Sequence, residues 1–321
     1  MVKRLPTVVD DGPWPVSRAT SNEEGVVGVT ETRSPDQYMV PGADGAELAV
    51  ADWPGSRGAL VCVHGLTSHS RAFAGLATEL REHRILAIDC RGRGQSSAKG
   101  PFGLTRHADD LAAAIDSRGV ERATVVGHSM GSYIAGAFAA RYPDRVERLV
   151  FVDGGYPQDV PAGVTPDQLL DASLALYLTK LRRSWTNLNE YVAFYEQTPV
   201  YSNGVDIYGR AHFGYDLIGK EPEMRARVSM EAVRDDWREL LDREAVGARL
   251  EAVTVPLLLI RAPGGLTGTG DEVVTDHVRD IITAKVPKTL VVDVPGTNHH
   301  TILLSVPGAR AVARAIEEFT R

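Results

Sequence analysis

The sequence is poor in cysteine and has no long apolar run. It holds two cysteines in 321 residues, Cys62 and Cys90. Each lies in or just after an apolar stretch, which favours buried reduced thiols over a disulfide framework. No stretch approaches the ~18 apolar residues that a membrane span requires, and the amino terminus lacks an apolar run of signal-peptide length. We therefore expect a cytoplasmic protein that does not enter a membrane.

An excess of basic residues is also missing, because the formal net charge is −7. Nucleic acids and anionic membranes are bound by basic surfaces, so neither is an expected partner. The sequence has no HxH, HExxH or Cys/His cluster, and neighbouring His299 and His300 would point to opposite sides of an extended segment. We expect no metal and no cofactor, with a small molecule as partner. The oligomeric state stays open, and a homo-oligomer is compatible with the sequence.

Apolar runs alternate with helical patterns along most of the chain. This order predicts an α/β fold with a mostly parallel sheet of about eight strands, flanked by helices on both faces. The predicted strands are Glu47–Trp53, Ala59–Val63, Ile85–Asp89, Ala123–Gly127, Leu149–Asp153, Pro256–Ile260 and Thr289–Val294.

The alternation stops between Gly154 and about Thr254, where helical patterns such as 167–182 and 188–196 follow one another. We therefore predict an irregular arm over 1–36, a core domain over 37–155 and 251–321, and a helical lid over 156–250. Residues 156–215 hold ten of the 21 aromatic side chains. These could form the lid's own core or line an apolar substrate pocket between lid and sheet.

The segment VVGHSMG places Ser129 between Gly127 and Gly131, directly after a predicted strand and before a predicted helix. Such a G-x-S-x-G elbow exposes the serine hydroxyl at the carboxyl end of a sheet. The next amide, that of Met130, then lies at a helix amino terminus, where partial positive charge favours an anion. The pattern predicts a nucleophilic serine.

A second motif ends another predicted strand, at His64-Gly65-Leu66. A glycine at this position lets the loop turn close beneath a substrate, so the amide of Leu66 could act with that of Met130 as an oxyanion hole. Serine acyl transfer needs such a pair of donors.

In these features the chain resembles α/β-hydrolases of the lidded serine esterase type. The matching pieces are His64-Gly65, Asp89–Ser96 (DCRGRGQS), Gly127–Gly131 and Gly296–His299, in the order the family has them. They cover nearly everything from residue 47 to the end. The resemblance implies the fold, with a lid after the sixth strand. It also implies that the DxRGxGxS segment shapes a loop and that its arginines carry no chemistry.

A serine nucleophile needs a base, and imidazole titrates close to neutral pH. His299 is the candidate, because it follows the last predicted strand and the family's G-x-x-H pattern falls on it. His64 and His128 are expected to buttress loops instead.

Two carboxylates compete to orient that imidazole. Asp271 lies in the loop after the strand Pro256–Ile260, the commonest location in the family. Asp153 ends the strand before the lid, as in some relatives. The loop over 262–271 is longer and richer in glycine than the family's usual turn, so the choice stays open, with Asp271 favoured.

The expected activity is cleavage of carboxylic esters through an acyl-enzyme. Three cations in the lid, Lys180, Arg182 and Arg183, could hold a free carboxylate on the substrate, and the chain is similar to bacterial hydrolases of monoalkyl phthalate esters. Monoesters of an aromatic dicarboxylic acid are therefore a narrower expectation. Lactone or carbon–carbon bond hydrolysis, or a ligand sensor without catalysis, are the alternatives.

Overall fold

A single large sheet forms the centre of the fold. The computed structural model describes residues 3–4, 31–268 and 270–321. Within these residues the chain forms eleven strands. They are β1 (Lys3–Arg4), β2 (Asp36–Pro41), β3 (Glu47–Trp53), β4 (Arg57–Val63), β5 (His83–Ile88), β6 (Ala123–His128), β7 (Val146–Val152), β8 (Leu217–Lys220), β9 (Glu223–Ala226), β10 (Leu257–Arg261) and β11 (Leu290–Asp293).

Nine of these strands join the sheet in the order β1-β2-β3-β5-β4-β6-β7-β10-β11, while β8 and β9 form a separate hairpin in the described part of the chain. The first three pairings of that order are antiparallel, and the five from β5–β4 onward are parallel. In register, Val61 of β4 lies opposite Leu86 and Val125. Because β4, β6, β7 and β10 run in the same direction, their carboxyl ends meet at one edge, where loops can assemble a site.

The helices of the described residues are twelve in number. They are α1 (Ala74–Glu79), α2 (Leu104–Ser117), α3 (Met130–Arg141), α4 (Pro166–Ser173), α5 (Ala175–Arg182), α6 (Leu188–Glu196), α7 (Ile207–Asp216), α8 (Met230–Leu240), α9 (Arg243–Glu251), α10 (Asp276–Lys285), α11 (Thr301–Leu304) and α12 (Val306–Thr320).

Helices cover both faces of the sheet because its central strands are apolar on both sides. In β4, Val61 and Val63 belong to one buried cluster, with residues of α2 and α3. Leu60 and Cys62, which alternate with them, belong to a second cluster with α1 and α12. Because successive side chains of a strand point to opposite faces, one hydrophobic core lies on each face of the sheet.

The predicted α/β architecture is confirmed, with a mostly parallel sheet flanked by helices. The predicted arm over 1–36 lies largely outside the described residues. Within it, Lys3–Arg4 pair with β2 at the sheet edge, and β2 itself is not among the predicted strands. Cys62 and Cys90 are buried free thiols, as predicted.

Between β7 and β10 the chain forms α4 to α9 and the β8–β9 hairpin, which we call the inserted segment. The helix predicted over 167–182 is instead two helices that meet at Leu174 (φ −114°, ψ 16°). Leu174 is buried, and we attribute the break to its packing, because the helical pattern of the sequence continues through this position. None of the helices in the described residues is long and apolar enough to cross a bilayer.

Candidate active site

Ser129 lies on a tight turn between β6, which ends at His128, and α3, which begins at Met130. Its backbone has φ 54° and ψ −122°, a conformation that is costly for a side-chain-bearing residue. The turn is so close that a Cβ at position 127 would lie 2.2 Å from the Gly131 carbonyl oxygen, and one at 131 would lie 1.9 Å from that of Val63. Only glycine fits at both positions, and the elbow that the sequence predicts is present.

His299 is bonded to Asp153 at the same edge of the sheet. Its Nδ1 lies 2.7 Å from Asp153 Oδ2, and the two side chains are 3% and 0% exposed. Because an ionised carboxylate can only accept, Nδ1 carries the proton and Nε2 is left as an acceptor. The arrangement leaves His299 able to take a proton from a neighbouring group.

Asp153 is fixed by its backbone as well as by His299. It directly follows β7, has φ 50°, and donates its amide to the Ile260 carbonyl at 2.7 Å. Its second carboxylate oxygen, Oδ1, accepts from the Ala262 amide at 3.2 Å. Both oxygens of this buried carboxylate are therefore hydrogen-bonded.

The prediction that Asp271 is the partner of His299 is wrong. Asp271 Oδ2 accepts from the amide of Thr267, 2.7 Å away in the same loop. The long glycine-rich loop closes on itself, so its carboxylate bonds to its own backbone, while Asp153 reaches the imidazole from the end of the neighbouring strand. The sequence signal for Asp153 was its position directly after a buried strand.

The backbone around His299 is held on two sides. Its amide donates to the Gly264 carbonyl at 2.9 Å, and its carbonyl oxygen accepts from His128 Nε2 at 2.8 Å. Burial and the nearby His299 ring both lower the pKa of His128 well below its usual range, so His128 is a neutral donor. His128 therefore buttresses the loop that carries His299, in line with the expectation from the sequence that it supports a loop.

Two backbone amides near Ser129 are those of Met130 and Leu66. Met130 is the first residue of α3, where an amide has no partner within the helix. Within the residues that the structure describes, neither the Met130 nor the Leu66 amide bonds to a protein acceptor. Both residues line a cavity together with Ser129 and His299. The amides that the sequence proposed as an oxyanion hole are thus unpaired beside the serine.

The loop that carries Leu66 is held by two buried ion pairs. Arg93 donates from Nε to the Leu66 carbonyl at 2.9 Å and from Nη1 to Asp236 at 2.5 Å. Lys180 donates from Nζ to the Thr67 carbonyl at 2.9 Å and to Asp216 at 2.6 Å. Lys180, Asp216 and Asp236 all belong to the inserted segment. The position of this loop therefore depends on the inserted segment.

The sequence suggested that three lid cations could bind a substrate carboxylate. In the structure they are paired with other groups or exposed to solvent. Lys180 is buried against Asp216, as described. Arg183 pairs with Glu190 and lies over the ring of Trp185, with its guanidinium carbon 4.4 Å from the ring centroid. Arg182 is exposed. The structure does not bring Arg182 or Arg183 to the cavity at Ser129.

The cavity at Ser129 has a volume of about 540 Å³ and is mostly apolar. Tyr133, Tyr156 and Trp237 line it, together with several leucines. Its charged lining residues are Asp159, Asp271 and Glu272, and no lysine or arginine lines it among the described residues. We call it the main cavity. It suits an apolar ligand without negative charge.

Most aromatic residues of the inserted segment pack against one another. Tyr195 stacks on Phe213 with ring centroids 4.3 Å apart, and Tyr191 meets Trp185 edge to face at 4.8 Å. Among those of the ten aromatics whose side chains are described, Tyr156 is the one that lines the main cavity. The first of the two sequence interpretations, a core for the segment itself, therefore accounts for most of them.

Buried histidines near the site make the folded state sensitive to acid. His64 Nδ1 donates to the Gly65 carbonyl at 2.8 Å, and Nε2 accepts from the Cys90 amide at 2.9 Å. Accepting at Nε2 requires a neutral ring. Burial lowers the pKa of His64 from 6.5 to about 4.

We predict that the free energy of unfolding decreases as the pH falls from 6.5 towards 4. The folded-state pKa of His64 is the lower one, so its stabilising contribution is complete above 6.5 and is lost on acidification, by roughly 3 kcal/mol at 1.4 kcal/mol per pKa unit. Urea unfolding at pH 7.5 and 4.5 measures this loss. His64→Gln should reduce it, while His277→Gln, at a side chain that is 68% exposed, should not. An unchanged pH dependence in His64→Gln would contradict the assignment.

Comparisons with known proteins identify the family of the fold. The family model described as alpha/beta hydrolase fold matches residues 58–306, well over half of the chain. A Bacillus subtilis (strain 168) protein provisionally named 2-succinyl-6-hydroxy-2,4-cyclohexadiene-1-carboxylate synthase is 27% identical over 68% of this chain and 78% of its own length. Lipase LipV of Mycobacterium tuberculosis is 35% identical, over 38% of this chain and 46% of its own length.

Among solved structures, an E-2-(acetamidomethylene)succinate hydrolase superposes with a TM-score of 0.73 at 24% identity. The superposition covers 88% of this chain and 98% of the hydrolase. At this identity the similarity concerns the fold alone. The family model, in contrast, spans the elbow, the inserted segment and the loop of His299. This chain belongs to the alpha/beta hydrolase fold family.

Proposed function

We propose that the protein is a serine hydrolase that cleaves carboxylic esters through an acyl-enzyme intermediate. The observation that carries the proposal is the buried bond between His299 and Asp153 at the edge of the sheet where the strained elbow presents Ser129. The main cavity, which Ser129 and His299 both line, gives a substrate access to them. The similarity to a lipase over part of the chain supports ester chemistry.

In the first half of the reaction, Ser129 Oγ attacks the carbonyl carbon of the ester while His299 Nε2 takes the hydroxyl proton. The carbonyl oxygen becomes an oxyanion, which the amides of Leu66 and Met130 stabilise. Asp153 stabilises the imidazolium that forms. The tetrahedral intermediate then expels the alcohol, which receives its proton from His299, and the acyl group stays on Ser129.

In the second half, a water molecule takes the place of the alcohol. His299 accepts its proton as the water attacks the acyl carbon, and the bond to Ser129 Oγ breaks as the proton returns to the serine. The free acid leaves. The same groups could open a lactone or an activated carbon–carbon bond, but the mostly apolar main cavity favours a simple ester as substrate.

The first test compares the wild-type protein with Ser129→Ala on p-nitrophenyl acetate, following nitrophenol release. We expect the variant to lose on the order of 10³-fold or more in kcat, because the nucleophile is gone. The variant should keep the wild-type melting temperature within a few degrees. Equal rates from the two proteins would instead favour the alternative from the sequence, a ligand sensor without catalysis.

Two matched aspartate-to-asparagine variants test which carboxylate acts with His299. Asp153→Asn should lower kcat by about 10⁴-fold, because an amide no longer selects the imidazole tautomer that can accept from serine. Asp271→Asn should stay within about tenfold of wild type, because this side chain bonds only to its own loop. A larger loss in Asp271→Asn than in Asp153→Asn would show that Asp271 is the carboxylate that acts with His299.

The narrower expectation of a monoalkyl phthalate is tested by the charge of the substrate. The free carboxylate would meet Asp159, Asp271 and Glu272 in the main cavity, or beside the serine the ammonium of Lys180, which is already paired with Asp216. We therefore expect monohexyl phthalate to be turned over with lower kcat/KM than hexyl acetate, which has the same alcohol and no charge. A preference for monohexyl phthalate would show that a cation reaches the substrate and would restore the narrower expectation.

A further inference from the structure

A second and much smaller compartment meets the main cavity at the nucleophile. Its volume is about 60 Å³, against about 540 Å³ for the main cavity. Leu66, Ser129 and His299 line both spaces. An ester bound at Ser129 has two arms, one on each side of the carbonyl group. The nucleophile therefore lies at the junction of two spaces, each of which can hold one arm.

The two spaces differ in their access to solvent. The main cavity includes exposed residues at its rim, among them Gln158, Asp159 and Pro161. None of the described residues that line the small compartment is exposed, and its walls include Tyr201 and Phe213, which are 3% and 2% exposed. Exposed residues thus reach the rim of the main cavity, whereas the described lining of the small compartment is buried or half-buried throughout.

This difference indicates which space holds the acyl part of the ester and which holds the alcohol part. The inference rests on the proposed acyl-enzyme reaction. The acyl group stays bonded to Ser129 through the first half, whereas the alcohol must leave and water must enter before the second half. Departure and entry need the space with the exposed rim. We infer that the small compartment binds the acyl group and that the main cavity binds the alcohol.

The size of the compartment limits the acyl chain. Its volume of about 60 Å³ is about one ninth of that of the main cavity, so the arm that it holds is the shorter one. The wall resists expansion, because Phe213 stacks on Tyr195 at 4.3 Å and Tyr195 meets Tyr201 edge to face at 5.8 Å. Short acyl groups fit, and long chains do not.

The charge of the compartment favours a neutral acyl group. Its ammonium, on Lys180, is paired with Asp216 at 2.6 Å and also bonded to the Thr67 carbonyl. Burial lowers the pKa of His212, which also lines the compartment, to about 4, so this ring is neutral. The substrate class is accordingly an ester of a short, uncharged carboxylic acid with a larger apolar alcohol.

Two series of esters test the assignment on the wild-type protein. In p-nitrophenyl esters the alcohol is constant, and kcat/KM should fall by at least about tenfold between the butanoate and the octanoate. In acetates of ethanol, hexanol and 2-naphthylmethanol the acyl group is constant and all three alcohols are primary, and kcat/KM should rise with the size of the alcohol. An octanoate as good as the butanoate, or acetates that become worse with larger alcohols, would overturn the assignment.

Variants of Phe213 test whether the small compartment sets the limit on acyl-chain length. Phe213→Leu and Phe213→Ala shorten one wall, and we expect either to raise the octanoate to butanoate ratio several-fold. Leu169→Ala, whose side chain lines the main cavity alone, is the matched control and should leave that ratio unchanged. A shift in the control without a shift in the folded Phe213 variants would overturn the inference. If neither Phe213 variant folds, the two wild-type series decide.

The outcomes also separate this inference from the proposed function. Hydrolysis that needs Ser129 but favours long acyl chains would overturn the compartment assignment and leave the esterase proposal standing. If neither series is hydrolysed, or if Ser129→Ala is as active as the wild type, the esterase proposal fails and the compartment assignment fails with it.

Discussion

A buried hydrogen bond between Asp153 and His299 joins two parts of the chain that are 146 positions apart. The bond needs the end of β7 and the loop after β11 at the same edge of the sheet, which parallel strand order provides. It also needs a bonding partner for the second oxygen of the buried carboxylate, and the Ala262 amide supplies that bond. Removing either partner would leave a buried polar group unpaired, so the geometry of this edge is strongly constrained.

The strained backbone at this edge is part of the same constraint. Ser129 and Asp153 both have positive φ, and they follow the neighbouring strands β6 and β7. Such conformations cost of order 1–3 kcal/mol each and persist where the surroundings fix them. Here the close glycine contacts fix the first residue and the bonds to Ile260 and His299 fix the second.

The inserted segment positions a core loop as well as forming walls of the two spaces. Through Lys180–Asp216 and Arg93–Asp236 it is bonded to the carbonyls of the loop that carries Leu66. Buried ion pairs of this kind add little net stability, yet breaking one leaves an uncompensated charge. The position of the Leu66 amide therefore depends on bonds between its loop and the inserted segment.

The sequence by itself determined the alternation of strands and helices, the elbow at Ser129 and the position of His299, because these depend on local spacing and on glycines that no other residue can replace. The acid, the partners of Lys180 and the division into two spaces could not be predicted from it. Asp271 and Asp153 both follow apolar strands, and which one meets the imidazole depends on how a long loop folds on its own backbone. The tertiary structure decided that choice, because hydrogen bonds between distant segments are set by packing in three dimensions, which local patterns do not encode.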